Sequence, residues 1–224
     1  MKAVIQSQPL YQQTYEAIKE AILKGEIKSG SKIVATKLCE QFGVGRTPLR
    51  EALRQLTNEG LLVQDQTFLR VVSLDQRDFE ELLYCRLLLE KDIIRLGVPN
   101  ISERQIEEAE AFLRLSEEAY RNKVNHEVLE YNTKFHEVLI NACPNQRLVE
   151  LMKQTRFMLL LYRANILHYH YYNNNIFVEH RDILEAIKER NVEKAVQMVE
   201  YHLLQDLNRG KEIINFQMVQ DTEF

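Results

Sequence analysis

The 224 residues are 45% hydrophobic and 28% charged, with a formal net charge of −4, the balance of an ordinary globular chain rather than a disordered or collagen-like one. Seven glycines and four prolines are few for this length and favour helices over a turn-rich β fold. Three scattered cysteines, Cys39, Cys85 and Cys143, fit reduced, packed thiols of a cytoplasmic protein better than a disulfide framework.

In chain order, the period of Tyr15, Ile18, Ala21 and Ile22 predicts a first helix from Tyr11 to Lys24, stopped by Gly25. Thr36 to Phe42 reads as a short second helix, and Gly43-Val44-Gly45 as a tight turn. A third helix opens at Arg46 or Thr47 and runs to about Glu59, with Leu49, Ala52, Leu53 and Leu56 as its apolar stripe. Pro48 falls in its first turn, where a missing N–H is tolerated, and Gly60 caps its end. Leu61 to Val63 and Leu69 to Val72 read as a small hairpin around Gln64 to Phe68.

Beyond Ser73 the pattern is helical throughout. The predicted helices are Asp78 to Leu96, Ser102 to Asn122 (with Ser102 and Gln105 as a capping box), Glu127 to Ala142, Asn145 to about Leu167, Asn174 to Arg190, and Val192 to about Phe216. His168 to Asn175 is an unusual polar and aromatic stretch. The first nine residues lack the apolar core of a signal peptide. The longest apolar run, Phe157 to Leu161 between Arg156 and Arg163, is too short to span a bilayer. The expectation is a mostly α, cytoplasmic protein: a winged helix-turn-helix over residues 1–73, then an all-α bundle over 78–224.

Helix, short glycine-containing turn, helix is the pattern that lays its second helix in the DNA major groove, with the N-terminal residues of that helix on base edges. Here those residues are Arg46, Thr47 and Arg50. Arginine reads guanine through paired hydrogen bonds, and open N–H groups at a helix start suit phosphate. The blander reading is two surface arginines paired with Glu51 or Asp65. Charge distribution leans toward DNA: residues 1–73 hold ten Lys and Arg against seven Asp and Glu, whereas residues 74–224 hold nineteen against twenty-six.

The bundle offers a second constellation. Asn132 and His136 are four apart, hence on one helix face, while His180 and His202 lie on two later helices. Facing helices of a bundle can bring such groups to one interior divalent metal, and imidazole suits zinc or nickel. Three histidines on three helices also occur as unrelated residues, as His126, His168 and His170 illustrate.

Val44 to Leu53 with Leu56 and Glu59-Gly60-Leu61, preceded by Ile22 to Ile27, Gly30, Leu38 and Phe42, resembles the signature of GntR-type regulators over about residues 10–73. The resemblance implies DNA contacts from Arg46, Thr47, Arg50 and the wing. Gly45 stands where that family usually has Ser or Thr, and the tip Gln64 to Phe68 lacks its usual Arg and Gly. Asn132 to His136, Glu179 to Ile183, Ala186-Ile187, Ala195 and His202-Leu203 resemble the FCD effector domain of the FadR branch over about 78–216. That resemblance implies a metal site at Asn132, His136, His180 and His202, with Asn132 in place of the usual acidic residue. It also implies an effector-binding arginine at Arg86, with Arg163 as a second candidate. A guanidinium at Arg86 can clamp a carboxylate, or pair with Glu90 one turn on.

The expected function is therefore a ligand-responsive transcriptional regulator and repressor, not an enzyme. It would be a homodimer on double-stranded operator DNA, sensing a small carboxylate with a bound divalent metal. One alternative is a metal-free regulator with an apolar acid-binding cavity. The other is a metal-dependent hydrolase, against which stands the lack of any HExxH motif or nucleophile–base pair in the sequence.

Overall fold

The computed structural model describes residues 8–72, 76–166 and 174–221, with side chains except at 161, 163–166, 174 and 213–221. Arg163 and the stretch 168–173 therefore lie outside the described side chains. Among the described residues there are nine helices and one two-stranded sheet, and none of the helices is long and apolar enough to cross a membrane. The chain divides into two compact units, residues 1–74 and 75–224.

The first unit holds α1 (Leu10–Leu23), α2 (Ala35–Phe42), α3 (Arg46–Asn58), β1 (Leu62–Asp65) and β2 (Phe68–Val71). Its core joins Ile18 and Ile22 of α1 to Leu49, Ala52 and Leu56 of α3, with Leu38, Leu61, Leu62 and Val71 closing it. Gly43 ends α2 at φ +63, a left-handed conformation that costs a glycine little. Gly60, at φ +81, lets the Leu61 N–H return to the Leu56 carbonyl at 2.9 Å and so ends α3. The apolar stripe expected along α3 is the buried one.

The hairpin is tighter than the polarity pattern suggested. The ladder runs on through Gln64 and Asp65 to an Asp65–Phe68 pairing, leaving only Gln66 and Thr67 in the turn. Backbone groups form the ladder, so polar side chains need not end it. Ser31 to Ile33 also pairs along β2: the Ser31 carbonyl accepts from Val71 N–H at 2.9 Å, and Ile33 N–H donates to the Leu69 carbonyl at 2.8 Å.

Glu59 fastens α1 to the end of α3. The buried Tyr15 hydroxyl donates to its Oε2 at 2.6 Å, and Gln55 Nε2 donates to its Oε1 at 2.9 Å. Burial, and then the Glu59 carboxylate, hold the Tyr15 phenol well above its ordinary pKa. A hydrogen bond to a charged acceptor contributes about 1.5–3 kcal/mol. Tyr15→Phe should therefore lower the urea midpoint of the protein by an equivalent amount while the denaturant slope stays constant. An unchanged midpoint would show that Glu59 does not tie the two helices.

The second unit holds α4 (Gln76–Gly97), α5 (Glu103–Arg121), α6 (Asn125–Asn141), α7 (Gln146–Ile166), α8 (Asn174–Lys188) and α9 (Val192–Asp221). The capping box at the start of α5 forms: Ser102 Oγ accepts from Gln105 N–H, and Gln105 Oε1 accepts from Ser102 N–H. α4 packs against α6, α7 and α9, while α8 packs against α5 and α9. Ile93, Ile140, Cys143, Val149 and Met152 form one apolar cluster. The buried stripe of α4 is not purely apolar, because Arg86 and Glu90 lie within it.

Candidate functional site

On the first unit, α3 starts at Arg46 with Gly45 as an N-cap that supplies no side-chain hydrogen bond. Leu49 and Leu53 turn inward, so the helical period leaves Arg46, Thr47 and Arg50 on the opposite, exposed face. The acidic groups that would have made these arginines structural are engaged elsewhere. Glu51 pairs with Arg54 at 2.9 Å and Asp65 with Arg70 at 3.1 Å. Two exposed guanidiniums four residues apart thus stand at an uncapped helix start, and this suits anion binding and base-edge contact.

In the second unit, four helices send polar side chains into the bundle: Arg86 and Glu90 from α4, Asn132 and His136 from α6, Glu179 and His180 from α8, His202 and Asp206 from α9. All eight are buried. Arg86–Glu90, Asn132–His136 and His202–Asp206 each share a helix face by i,i+4 spacing, whereas Glu179 and His180 are consecutive residues of α8. The three imidazoles expected from the sequence to converge do so: one ligand nitrogen from each of His136, His180 and His202 lies within 4.8 Å of the others. His180 Nε2 and His202 Nε2 are 3.3 Å apart. The Phe135 ring, 4.9 Å from the His180 ring, supplies an apolar wall.

Carboxylates fix the outer ring nitrogens. His136 Nδ1 is 3.2 Å from Glu90 Oε1, and His202 Nδ1 is 2.7 Å from Glu179 Oε2. Burial alone pushes the Glu90 carboxyl up, but Arg86 and His136 outweigh it and hold Glu90 well below the usual range. Burial is also the largest influence on His136, and it keeps that imidazole neutral by lowering its pKa well below 6.5. A neutral imidazole that donates from Nδ1 presents a lone pair at Nε2.

These residues fit a divalent metal. Imidazole nitrogens bound at 2.0–2.1 Å around a tetrahedral ion stand about 3.3 Å apart, the separation already seen between His180 and His202. His136 Nε2 and Asn132 Oδ1 are buried without a hydrogen-bond partner, a costly state for polar atoms unless something binds them.

Arg86 lies beside this nest and is held by two carboxylates. Its Nε donates to Glu90 Oε2 at 2.7 Å and its Nη1 to Asp206 Oδ2 at 3.0 Å. The Glu90 ion pair weighed in the sequence is formed, and Asp206 joins it. Asp206 Oδ2 is also 3.5 Å from His202 Nε2. Arg209 closes a ring of charges by donating to Asp206 Oδ1 at 2.8 Å and to both oxygens of Glu179 at 2.7 and 2.9 Å. Sequence reasoning missed Glu179, Asp206 and Arg209 as parts of the site. The signal was present in the adjacency of Glu179 to His180 and in the four-residue step from His202 to Asp206.

A helix-turn-helix with a hairpin wing, and a helical bundle built round a buried polar nest, together define a DNA-binding regulator with a sensing domain. Residues 10–67 match the family described as bacterial regulatory proteins, gntR family, and residues 81–205 match the FCD domain. The chain is 33% identical over 210 residues to the uncharacterized HTH-type transcriptional regulator YdhC of Bacillus subtilis, covering 92% of this chain and 93% of that one. It is 24% identical over 180 residues to the gluconate operon transcriptional repressor of Bacillus licheniformis, covering 78% and 74%. The solved structure of Escherichia coli McbR/YncC shares the fold, with a TM-score of 0.78 at 20% identity over 92% of this chain and 99% of that one. This chain belongs to the gntR family of bacterial regulatory proteins, in the branch that carries an FCD domain; it is a DNA-binding transcriptional regulator and not an enzyme.

Proposed function

We infer that this regulator is a cytoplasmic homodimeric repressor that binds double-stranded operator DNA through Arg46, Thr47 and Arg50. Its FCD domain, over residues 78–224, carries dimerisation and effector sensing. A divalent transition metal, zinc or nickel, is held by His136, His180 and His202 with Asn132 as a neutral oxygen donor. The effector is a small carboxylate recognised at Arg86. The observation that carries the metal reading is the convergence of three buried imidazoles, those of His136, His180 and His202, on helices that also bury two polar atoms, His136 Nε2 and Asn132 Oδ1, without hydrogen-bond partners. Repression is supported by relatives named as repressors, those of the gluconate operon among them. A bound metal would supply a positive centre that attracts an anionic effector.

Arg86 already holds a carboxylate, that of Asp206. An effector carboxylate takes over that place while Arg209 retains Asp206 through its second oxygen. The effector can change DNA binding only through different affinity for the two states of the regulator.

The deciding experiment is metal content after dialysis at neutral pH. The parent protein should retain close to one zinc or nickel per chain. His136→Ala, His180→Ala and His202→Ala should each weaken binding by more than the roughly 10–100-fold that follows loss of an outer partner. Asn132→Asp should strengthen it by supplying an anionic oxygen. A parent and an Asn132→Asp variant that are equally empty would assign the nest to the polar lining of a metal-free pocket, in which His180 and His202 satisfy each other.

A further inference from the structure

We propose that Glu179 is the positioning residue of the histidine nest: gripped by Arg209, it holds the His202 imidazole in its Nδ1–H form with Nε2 turned toward His180. Its consequence for metal binding rests on the metal reading above, but the positioning itself does not.

The argument is one of donors and acceptors. An ionised carboxylate only accepts hydrogen bonds, so at 2.7 Å the hydrogen between Glu179 Oε2 and His202 Nδ1 belongs to the imidazole. With that hydrogen on Nδ1, Nε2 faces His180 Nε2 at 3.3 Å and lies 3.5 Å from Asp206 Oδ2, an oxygen that Arg86 holds at 3.0 Å. Arg209 grips both Glu179 oxygens at 2.7 and 2.9 Å and is tied to Asp206, one turn back on its own helix, at 2.8 Å. Such a two-pronged pair fixes the plane of the carboxylate as well as its place.

The arrangement also has a geometric economy. Glu179 and His180 are neighbours on α8, and between them they address both ring nitrogens of His202 on α9. One helix therefore sets the orientation of an imidazole on another, and a rotation of α8 moves the ligand and the orienting group together. His136 has a looser counterpart: its Nδ1 is 3.2 Å from Glu90, whose other oxygen is shared with Arg86.

The test uses the full-length protein, stripped of metal and labelled with nitrogen-15 in its histidines. Long-range proton–nitrogen correlation distinguishes Nδ1–H from Nε2–H rings. His202 of the parent should show the Nδ1–H pattern. Glu179→Gln should abolish it, because a carboxamide can offer its NH2 to Nδ1 and release the hydrogen to Nε2. Chelator competition should then show zinc affinity lower by about 10–100-fold in Glu179→Gln. Arg209→Met, which leaves both partners in place, should give a smaller loss and serves if Glu179→Gln does not fold. A parent His202 in the Nε2–H form overturns the proposal without any variant. A variant with the parent's ring pattern and the parent's zinc affinity overturns it equally. If the parent takes up no zinc but the ring pattern changes in Glu179→Gln, the metal reading fails and the positioning role stands.

Discussion

Replacing Arg86 with alanine should cost about 3–5 kcal/mol of folding stability, the usual result of removing one partner from a buried ion pair. Arg86 and Glu90 are each 1% exposed and Asp206 is 3% exposed, so water cannot replace the guanidinium. Glu90 would keep His136, and Asp206 would keep Arg209. Neither remaining contact offsets a second carboxylate left in a low-dielectric interior. Adding Glu90→Gln to Arg86→Ala should recover part of the loss, because it removes the charge that the first change abandons; this coupling is what a double-mutant cycle measures. Thermal or urea unfolding checks both. An Arg86→Ala protein as stable as its parent would show that the ring of charges does not support the fold.

The same geometry decides how the effector role of Arg86 must be tested. Alanine would confound a lost clamp with a loosened bundle. Arg86→Lys keeps the charge between Glu90 and Asp206 but cannot make the planar two-pronged contact. A regulator carrying Arg86→Lys should bind operator DNA as the parent does, and respond less to candidate carboxylates. An undiminished response would place the effector elsewhere.

How much of this was legible in the sequence follows from where each signal resides. The stripe Leu49, Ala52, Leu53 and Leu56 is a local repeat, and periodicity alone identified the face of α3 that is buried and hence the face that carries Arg46 and Arg50. The i,i+4 steps from Arg86 to Glu90 and from Asn132 to His136 were equally local. Convergence of His136, His180 and His202 was suggested by spacing and made specific by family resemblance. What stayed hidden depends on tertiary packing. Asp206 meets Arg86 across 120 positions of sequence, and a charged residue late in a helix reads by default as a solvated one. The pairing of Ser31 to Ile33 with β2 involves too few residues to show a period. In the sequence β1 reads as ending before the polar Gln64 and β2 as starting at Leu69, whereas the backbone ladder extends to the Asp65–Phe68 pair.

Arg46→Ala and Arg50→Ala should each weaken specific operator binding by about 1–3 kcal/mol, roughly 5- to 150-fold, if each makes a paired contact to a base. Both side chains are exposed at the start of α3, and the nearby acids Glu51 and Asp65 are paired with Arg54 and Arg70. Removing either arginine therefore strands no buried charge, and the melting temperature should stay near the parent's. That separates these variants from Arg86→Ala, where stability falls first. Salt dependence separates the two kinds of DNA contact. An arginine on a base edge gives a variant that loses discrimination among operator sequences, whereas one on a phosphate weakens all sequences alike and lowers the slope of log affinity against log salt by about one. Thr47→Val, which removes a hydroxyl from the first turn, should have the smallest effect of the three. Lys24, the C-cap of α1 and paired with Glu20 at 2.6 Å, is the control, and Lys24→Ala should leave specific affinity close to the parent's. If Arg46→Ala and Arg50→Ala both bind like the Lys24 control, α3 does not read the operator; the wing, with Arg70 beside Asp65, is then the element to test next.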